Sequence, residues 1–433
     1  MTTISKSSPR LKVTVVGAGI AGLATARALR EHHDVVILET SRLKTETGAA
    51  IGTGPNASRI LLGWGVDLAK LESPDGRRII EFNKQGDVLQ DIKLDMHKTY
   101  GAPFLLNHRI ALHRELKRLA TSEDAGIPGK PAKLLTASKV VAVDCDTATV
   151  TLEDGSQIQG DVVVGADGIK STVRDAVLGQ PLVPKPSGHS AYRTMIPFDK
   201  LHALRDAQVD EVLSMPGLIM IVGLDRRLVA YTCRLDGQDL LNIVAIVPDA
   251  GLQQTSKESW SAEGDIKALR ACYEGFCPLT HKILSLADQC SLYQLRDQDP
   301  FGSWTRGKAM IIGDAAHCML PHLSQGGSQA IEDAEAIAYA LQSASGSAAV
   351  EASLKRAERL RIGRATFAQE HSRKQALGPR PGTEEEVAGK NPMQFTHYLY
   401  DYSGAEDWAK RMEGPEQRGN SDQSGAAILA VAA

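Results

Sequence analysis

The first forty residues alternate between short apolar runs and one helical pattern. Lys12 to Val16 and Asp34 to Glu39 are β-branched, apolar runs typical of buried strands, and Ile20 to Arg30 is rich in Ala and Leu at helical spacing. A strand, a helix and a second strand in this order predict a βαβ unit with parallel strands.

The middle of the chain has a different pattern of apolar and polar residues. Between Arg193 and Val247, three strand-like runs are separated by charged turns: Leu218 to Leu224, Leu228 to Cys233 and Leu241 to Val247. This pattern predicts an antiparallel sheet. Ala309 to Gly313 then returns to the fully apolar type, and a helical pattern follows from about Ser328 to Gln342.

These patterns predict an α/β protein whose Rossmann-like nucleotide-binding domain is discontinuous, interrupted by an antiparallel β-sheet domain and followed by a helical C-terminal segment. The predicted boundaries are 10–78, 104–184 and 290–345 for the first domain, 79–103 and 185–289 for the second, and 346–433 for the C-terminal helix and extended tail. The C-terminal helix carries a basic run that we expect to be a solvated helix face: Lys355, Arg356, Arg359, Arg361 and Arg364.

The composition of the chain limits the classes of function that it can have. The 433 residues carry a formal charge of −3, which gives no basic excess for binding nucleic acid or an anionic membrane surface. The six cysteines have neither the C-x-x-C nor the His-containing spacing of a metal site, so we expect reduced thiols and no metal. No apolar stretch is long enough to span a bilayer. A cytoplasmic protein, monomeric or homodimeric, is the expectation.

The turn after the first strand carries a dinucleotide fingerprint, Gly17-x-Gly19-x-x-Gly22. The first glycine permits the tight turn, the second lets the backbone approach a pyrophosphate, and the third lets the helix pack on the strand. Glu39 follows about twenty residues later, where a carboxylate can accept hydrogen bonds from a ribose hydroxyl. The spacing therefore predicts an adenosine pocket for FAD or NAD.

Two later segments favour FAD. Gly313-Asp314-Ala315-Ala316-His317 follows the returning strand, where Asp314 can accept a hydrogen bond from the ribityl chain. Gly165-Ala166-Asp167-Gly168, with Ser171 and Arg174, follows another buried strand, although this segment alone is equally typical of an ordinary turn. For His317 we expect a structural hydrogen bond rather than a role as a base.

Together these three motifs resemble those of the group A FAD-dependent aromatic monooxygenases, which have the para-hydroxybenzoate hydroxylase fold. The fungal salicylate-hydroxylase-like branch is the most similar, because of Pro55-Asn56-Ala57, His108-Arg109-x-x-Leu112-His113 and the segment from Asn391-Pro392 to Trp408. The resemblance covers residues from about 12 to 411.

The resemblance implies specific cofactor contacts. Glu39 would bind the adenosine ribose, Asp314 the ribityl chain, and Ala315 belongs to the same cofactor-binding turn. Ala50 and Gly327 would lie beside the flavin ring, and Arg109 would contact FAD. Asp167 and Arg174 would help to bind FAD and NAD(P)H. The sequence departs from the family pattern at Thr47, where an acidic residue is usual, and at Ala49-Ala50 in place of Ala-Gly.

The resemblance also implies the reaction. Enzymes of this family reduce FAD with NADPH or NADH, react it with molecular oxygen to a C4a-hydroperoxide, and hydroxylate or epoxidise an electron-rich aromatic small molecule. A phenol, a salicylate-like acid or an indole natural product is expected here, in fungal secondary metabolism. The catalytic candidates are Arg193, which could hold a phenolate, and Tyr231.

Two other functions stay open. The first is different redox chemistry on the same fold, such as halogenation, although the Trp-x-Trp-x-Ile signature of flavin halogenases is missing. The second is a flavin-binding protein without catalysis, which the intact motifs disfavour.

Overall fold

A computed structural model describes residues 10–43, 48–250, 252, 263–342, 344, 346–376 and 395–413. The strands are β1 Lys12–Val16, β2 Asp34–Leu38, β3 Ala50–Thr53, β4 Arg78–Asn83, β5 Val88–Lys93, β6 Leu105–His108, β7 Lys133–Leu135, β8 Val140–Asp144, β9 Thr149–Leu152, β10 Gln157–Gln159, β11 Val162–Gly165, β12 Lys185–Pro197, β13 Gly217–Val222, β14 Arg227–Leu235, β15 Gln238–Pro248, β16 Glu263–Gly264, β17 Cys290–Asp297, β18 Thr305–Arg306 and β19 Ala309–Ile311.

The helices are α1 Ile20–Leu29, α2 Pro55–Gly63, α3 Leu68–Leu71, α4 Met96–Tyr100, α5 Arg109–Thr121, α6 Thr172–Leu178, α7 Phe198–His202, α8 Ala207–Leu213, α9 Ile266–Ala271, α10 Pro278–Ser285, α11 Asp314–His317, α12 Gly326–Leu341, α13 Ser347–Ala376, α14 Thr396–Tyr400 and α15 Ala405–Glu413. Two 3-10 turns lie at Gly168–Lys170 and Pro321–Leu323. Within these described ranges, no helix has the length and apolar character needed to cross a membrane.

The first layer is a six-stranded sheet in the order β18-β19-β11-β1-β2-β7. Five of its strands are parallel, and β18 pairs antiparallel with β19 at the edge. Helices α5 and α12 both pack against α1, which covers this sheet. Burial on both faces explains the nearly continuous valine content of β1 and β11. The predicted βαβ opening is confirmed.

The second layer is an eight-stranded sheet in the order β16-β17-β12-β15-β14-β13-β4-β5. The three strands predicted between residues 218 and 247 are β13, β14 and β15, and they pair antiparallel as expected. The sheet is mixed, however, because β4 pairs parallel with β13. Local alternation cannot reveal this pairing, since β4 comes from a segment more than a hundred residues earlier.

The two faces of the larger sheet differ in burial. One face packs against α7 to α10, and side chains such as Tyr192, Ile219 and Ile243 are fully buried there. On the opposite face the alternate residues are only half-buried, although they lie in central strands. Among them are Met195, Leu218, Met220, Val229 and Val244. A face that keeps some solvent exposure in the middle of a sheet indicates a cleft.

The basic run of the C-terminal helix is not wholly solvated, so that expectation was wrong for two of its members. Arg361 and Arg364 of α13 are buried against α12. The Arg361 guanidinium donates to Asp333 Oδ1 at 2.8 Å, and Arg364 donates to Glu332 Oε2 at 2.8 Å. Ion pairs and hydrogen bonds offset part of the cost of removing these four charges from water. Charge patterning along α13 alone could not indicate these partners.

Candidate flavin and substrate site

The turn after β1 has the geometry expected of the fingerprint. Gly17 adopts a φ of +101°, and a Cβ there would lie 2.4 Å from the carbonyl oxygen of Ala166. A Cβ on Gly22 would lie 1.9 Å from the Gly17 oxygen. Around Gly19, by contrast, a Cβ would meet no atom within 4 Å. Packing therefore requires the first and third glycines, whereas the second faces open space that a phosphate could occupy.

The end of α1 nearest this turn suits an anion. Gly19 is the N-cap and no side chain caps the helix, so the first backbone N–H groups point toward the space beside Gly19. Glu39 lies next to the turn, since its Oε2 accepts from the Ala18 N–H at 2.8 Å and its Oε1 from the Ser41 N–H at 2.7 Å. The remaining lone pairs of this carboxylate can accept ribose hydroxyls. That role of Glu39 stays a prediction.

Asp314 lies at the carboxyl end of β19, after a glycine with an unusual backbone. Gly313 has φ 57° and ψ −142°, a conformation essentially restricted to glycine. The Asp314 side chain is accessible to solvent, yet the surrounding protein raises its pKa by burial, against the charges of His317 and Arg109. A carboxyl that is both accessible and densely surrounded lines a deep cleft, as a ribityl ligand would require.

Arg109 is the first residue of α5, and its charge interacts with residues from two other segments of the cleft. Its pKa is lowered by burial and by the charge of Arg193, while the charge of Asp314 opposes both effects. Arg109, Arg193 and Asp314 come from three distant segments, and their charges are close enough to interact. The structure thus brings together two predicted cofactor residues and one predicted catalytic residue.

Ala50 of β3 is held by the larger sheet on both sides of its backbone. Its N–H donates to Asn242 Oδ1 at 3.1 Å, and its carbonyl accepts from the Tyr231 hydroxyl at 2.8 Å. Asn242 is fully buried and is not among the site residues predicted from the sequence. The signal was present, because Asn242 is a polar residue inside the apolar run Leu240 to Val247.

Gly327, in the first turn of α12, lies against the same strand. A Cβ at this position would approach the Cδ1 of Ile51 to 2.8 Å, so any larger residue would require the end of the Ile51 side chain to shift. Ala315 is fully buried, which leaves only its backbone for contact with a ligand. The flavin contacts of Ala50, Gly327 and Ala315 remain predictions. Thr47 and Asn391-Pro392 lie outside the described residues.

The turn with Asp167 is internally bonded. The Asp167 carboxylate accepts from the Ser171 hydroxyl and from the Val173 N–H, the latter at 3.1 Å. Arg174 is buried and donates to the carbonyls of Ile169 and Leu182 at 3.0 and 2.7 Å. These bonds give both residues a role in shaping the turn that packs on Gly17. Contact of either residue with FAD or NAD(P)H stays a prediction.

Arg193 and Tyr231 both lie on the half-buried face of the larger sheet. The Arg193 guanidinium carbon sits 4.5 Å from the centre of the Tyr293 ring, a cation–π contact that orients the charge. Burial raises the pKa of Tyr231, and the charge of Arg193 acts in the opposite direction. The charge of Arg193 therefore reaches Tyr231, and the apolar side chains of Met195 and Val244 lie on the same face.

The His317 imidazole is bonded to Asp333 of α12. It is fully buried, and its Nε2 lies 2.6 Å from Asp333 Oδ2, which also accepts from the Gly313 N–H at 3.0 Å. This bonding agrees with the structural role expected from the sequence. Burial would raise the pKa of Asp333, but His317 and Arg361 outweigh it and lower the pKa to about 2. Asp333 therefore connects the Gly313 turn to α13 as an anion.

Comparison with known proteins agrees with this geometry. Residues 10–212 and 280–372 match the family described as "FAD binding domain". The chain is 34% identical to the FAD-dependent monooxygenase cfoG of Aspergillus candidus, over 84% of this chain and 85% of that protein. It is 33% identical to hispidin-3-hydroxylase of Neonothopanus nambi, over 85% and 89% of the two chains.

A solved structure of a salicylate hydroxylase substrate complex has the same fold, with a TM-score of 0.74 and 25% identity over 94% of this chain and 98% of that one. The chain accordingly belongs to the family with this FAD binding domain and is an FAD-dependent monooxygenase of the aromatic hydroxylase type.

Proposed function

We propose that the protein consumes NADPH or NADH and molecular oxygen to hydroxylate or epoxidise an electron-rich aromatic small molecule, such as a phenol, a salicylate-like acid or an indole natural product. The observation that carries this proposal is the position of Arg193 and Tyr231 on the half-buried sheet face, with Arg193 within electrostatic reach of Arg109 beside Asp314. FAD, when bound, supplies the electron transfer and the oxygen chemistry.

The residues fit this cofactor. We assign the pyrophosphate to the open space at Gly19, the ribose to Glu39, the ribityl chain to Asp314 and the ring system to the space beside Ala50 and Gly327. The open surroundings of Gly19 and the accessible, densely surrounded carboxyl of Asp314 support the assignment. The remaining proposed cofactor contacts are made by Gly17, Gly22, Arg109, Asp167 and Ala315.

Arg193 is proposed to bind the substrate oxygen. A guanidinium held over the Tyr293 ring presents a fixed positive charge to the cleft. Such a charge stabilises a phenolate, which raises the electron density of the ring to be attacked. The role requires no proton transfer by Arg193.

Tyr231 is proposed to contact the same substrate. Its hydroxyl donates to the Ala50 carbonyl, so its lone pairs remain able to accept a hydrogen bond from a substrate hydroxyl. Its raised pKa keeps the phenol protonated near neutral pH. Apolar neighbours such as Leu218 and Val229 limit the access of water to the bound ring.

The relatives support the aromatic substrate class. One is named for hydroxylating hispidin and one structure for hydroxylating salicylate. Since two of the relatives come from fungi, we extend the proposal to fungal secondary metabolism, with the enzyme acting in the cytoplasm as a monomer or homodimer.

The test is to purify the protein, record its flavin spectrum, and follow NADH and NADPH oxidation and product formation over a panel of phenols, salicylates and indoles. We expect a yellow protein whose NAD(P)H oxidation is stimulated by one class. A colourless protein that does not bind added FAD contradicts the cofactor assignment. Bound FAD without stimulation by any aromatic compound leaves a flavoprotein with other chemistry, or one without catalysis.

Arg193→Ala is the decisive variant. Loss of one transition-state charge contact typically lowers kcat by about a hundredfold or more, so product formation should collapse while FAD remains bound. Arg234→Ala is the matched control, because Arg234 is exposed on β14 and pairs with Asp239. Unchanged turnover in Arg193→Ala would remove this residue from the site.

A further inference from the structure

A buried carboxyl lies at the far end of the cleft. Glu81 is in β4, between Ile80 and Phe82, whose side chains pack into the core on the helical side of the larger sheet. Alternation along the strand therefore directs Glu81 to the cleft side. Only 8% of its surface is exposed.

The Glu81 carboxylate makes no hydrogen bond within the part of the chain that the structure describes, although the charge of Arg227 acts on it. Arg227 itself donates to the backbone carbonyl of Gln375 at 2.9 Å. Burial raises the pKa of Glu81, and Arg227 partly opposes this effect. A buried carboxyl without a hydrogen bond is costly to the protein unless a ligand supplies a donor.

The sheet register connects Glu81 to the catalytic candidates. One row of directly opposed residues crosses five strands: Glu81, Met220, Val229, Val244 and Arg193. With about 4.8 Å between strands, the two ends of this row are about 19 Å apart, and Tyr231 lies about 12 Å from Glu81. Between the polar ends, the cleft side of the row consists of half-buried apolar side chains.

We propose that Glu81 determines substrate specificity by accepting a hydrogen bond from a hydroxyl or amino group at the end of the substrate remote from the oxygenated ring. The substrate is then an elongated aromatic compound with two polar ends and an apolar middle. This inference rests on the proposed function, which puts the reacting ring at Arg193 and Tyr231. A compound that lacks the distal donor leaves the Glu81 carboxyl unsatisfied and binds more weakly.

The test uses four stilbenes that share a 4-hydroxyl group and differ at the 4′ position: hydrogen, hydroxyl, methoxy and carboxylate. Binding to the FAD-loaded enzyme is measured by the change in flavin absorbance or fluorescence, so the test does not depend on turnover. We expect the 4′-hydroxyl compound to bind about tenfold or more tightly than the methoxy compound, because the hydroxyl donates to a charged acceptor.

Two variants separate this role from a structural one. Glu81→Gln keeps an acceptor and should retain a smaller preference, whereas Glu81→Met should bind the hydroxyl and methoxy compounds equally. The affinity for 4-hydroxystilbene should stay within about twofold of wild type in both. Glu274→Gln, at an exposed position behind the sheet, should preserve the full preference.

Several results would overturn the inference. The inference fails if the wild type binds none of the stilbenes, or binds the hydroxyl and methoxy compounds equally. It also fails if the preference for the hydroxyl compound survives in Glu81→Met. Tightest binding of the carboxylate compound would contradict it as well, and would assign the far end to Arg227. Selective binding without any oxygenation would sustain the Glu81 site and contradict the proposed function, so the two failures are distinguishable.

Discussion

The hydroxyl of Tyr231 donates a hydrogen bond to the backbone carbonyl of Ala50 at 2.8 Å. Tyr231 belongs to the eight-stranded sheet, and Ala50 to the short strand β3. Asn242, which lies opposite Tyr231 in the sheet register, accepts a hydrogen bond from the N–H of the same alanine. Two side chains of the larger sheet thus fix the backbone that we expect to lie beside the flavin ring.

We predict that Tyr231→Phe keeps FAD but lowers the yield of hydroxylated product per NAD(P)H consumed, with the difference appearing as hydrogen peroxide. The Ala50 carbonyl would lose its hydrogen bond, at a cost of about 1 to 3 kcal/mol if the carbonyl stays unsatisfied. Product and peroxide assays measure the ratio.

Tyr273→Phe is the matched control for this prediction. Tyr273 also donates to backbone carbonyls, those of Arg227 and Ile246, but its ring lies in the core on the other side of the sheet. The Tyr273→Phe variant should have a lower melting temperature but an unchanged product-to-peroxide ratio. Equal ratios in the wild type and Tyr231→Phe would contradict the prediction.

The glycine fingerprint gives a matched pair of alanine variants. Gly19→Ala should leave the apoprotein within about 1 kcal/mol of wild-type stability, because its Cβ meets open space, but should weaken FAD binding by about tenfold or more. Gly22→Ala should itself destabilise the apoprotein by about 1 to 3 kcal/mol, since its Cβ would lie 1.9 Å from the Gly17 oxygen. Unfolding curves and FAD titrations check both. Wild-type FAD affinity in Gly19→Ala would argue against a pyrophosphate at this turn.

Because of the ion pairs between α12 and α13, we expect substitutions of two arginines in α13 to differ greatly in their effect on the free energy of unfolding. Arg361→Met should destabilise the protein by about 3 to 5 kcal/mol, because the carboxylates of Glu332 and Asp333 would lose their shared buried partner. Arg359→Met should change stability by no more than about 0.5 kcal/mol, as Arg359 is exposed. Chemical denaturation of the apoproteins gives both values, and similar losses in the two variants would refute the network.

The contribution of this network to the free energy of unfolding should decrease as the pH is lowered. The pKa of Asp333 falls from its ordinary 3.8 to about 2 in the folded protein. A lowered folded-state pKa contributes stability above the unfolded value, and that stability is lost as pH falls through the folded value. The contribution here is about 2 kcal/mol. The stability gap between wild type and Asp333→Asn should therefore be constant above about pH 5 and narrow between about pH 4 and pH 2. Urea unfolding at several pH values measures it, and a gap independent of pH in this range would refute the assignment.

Local patterns predicted much of the fold and part of the site. The glycine spacing gave the turn at Gly17 to Gly22, whose packing depends on the missing Cβ atoms. Helix α1 begins at Ile20, as the helical spacing of its Ala and Leu residues indicated. The parallel pairing of β4 with β13 and the burial of Arg361 depend on distant partners, so neither could be predicted from periodicity.

Strand and helix types, the cofactor fingerprint and the family resemblance could be inferred from the amino-acid sequence, because these depend on residues that are neighbours along the chain. The folded structure was needed to show that Arg109, Arg193 and Asp314 lie close together, that Tyr231 donates to Ala50, and that Glu81 lies on the same sheet face as Arg193. Sheet register and domain packing determine those distances, and both arise from contacts between residues far apart in sequence.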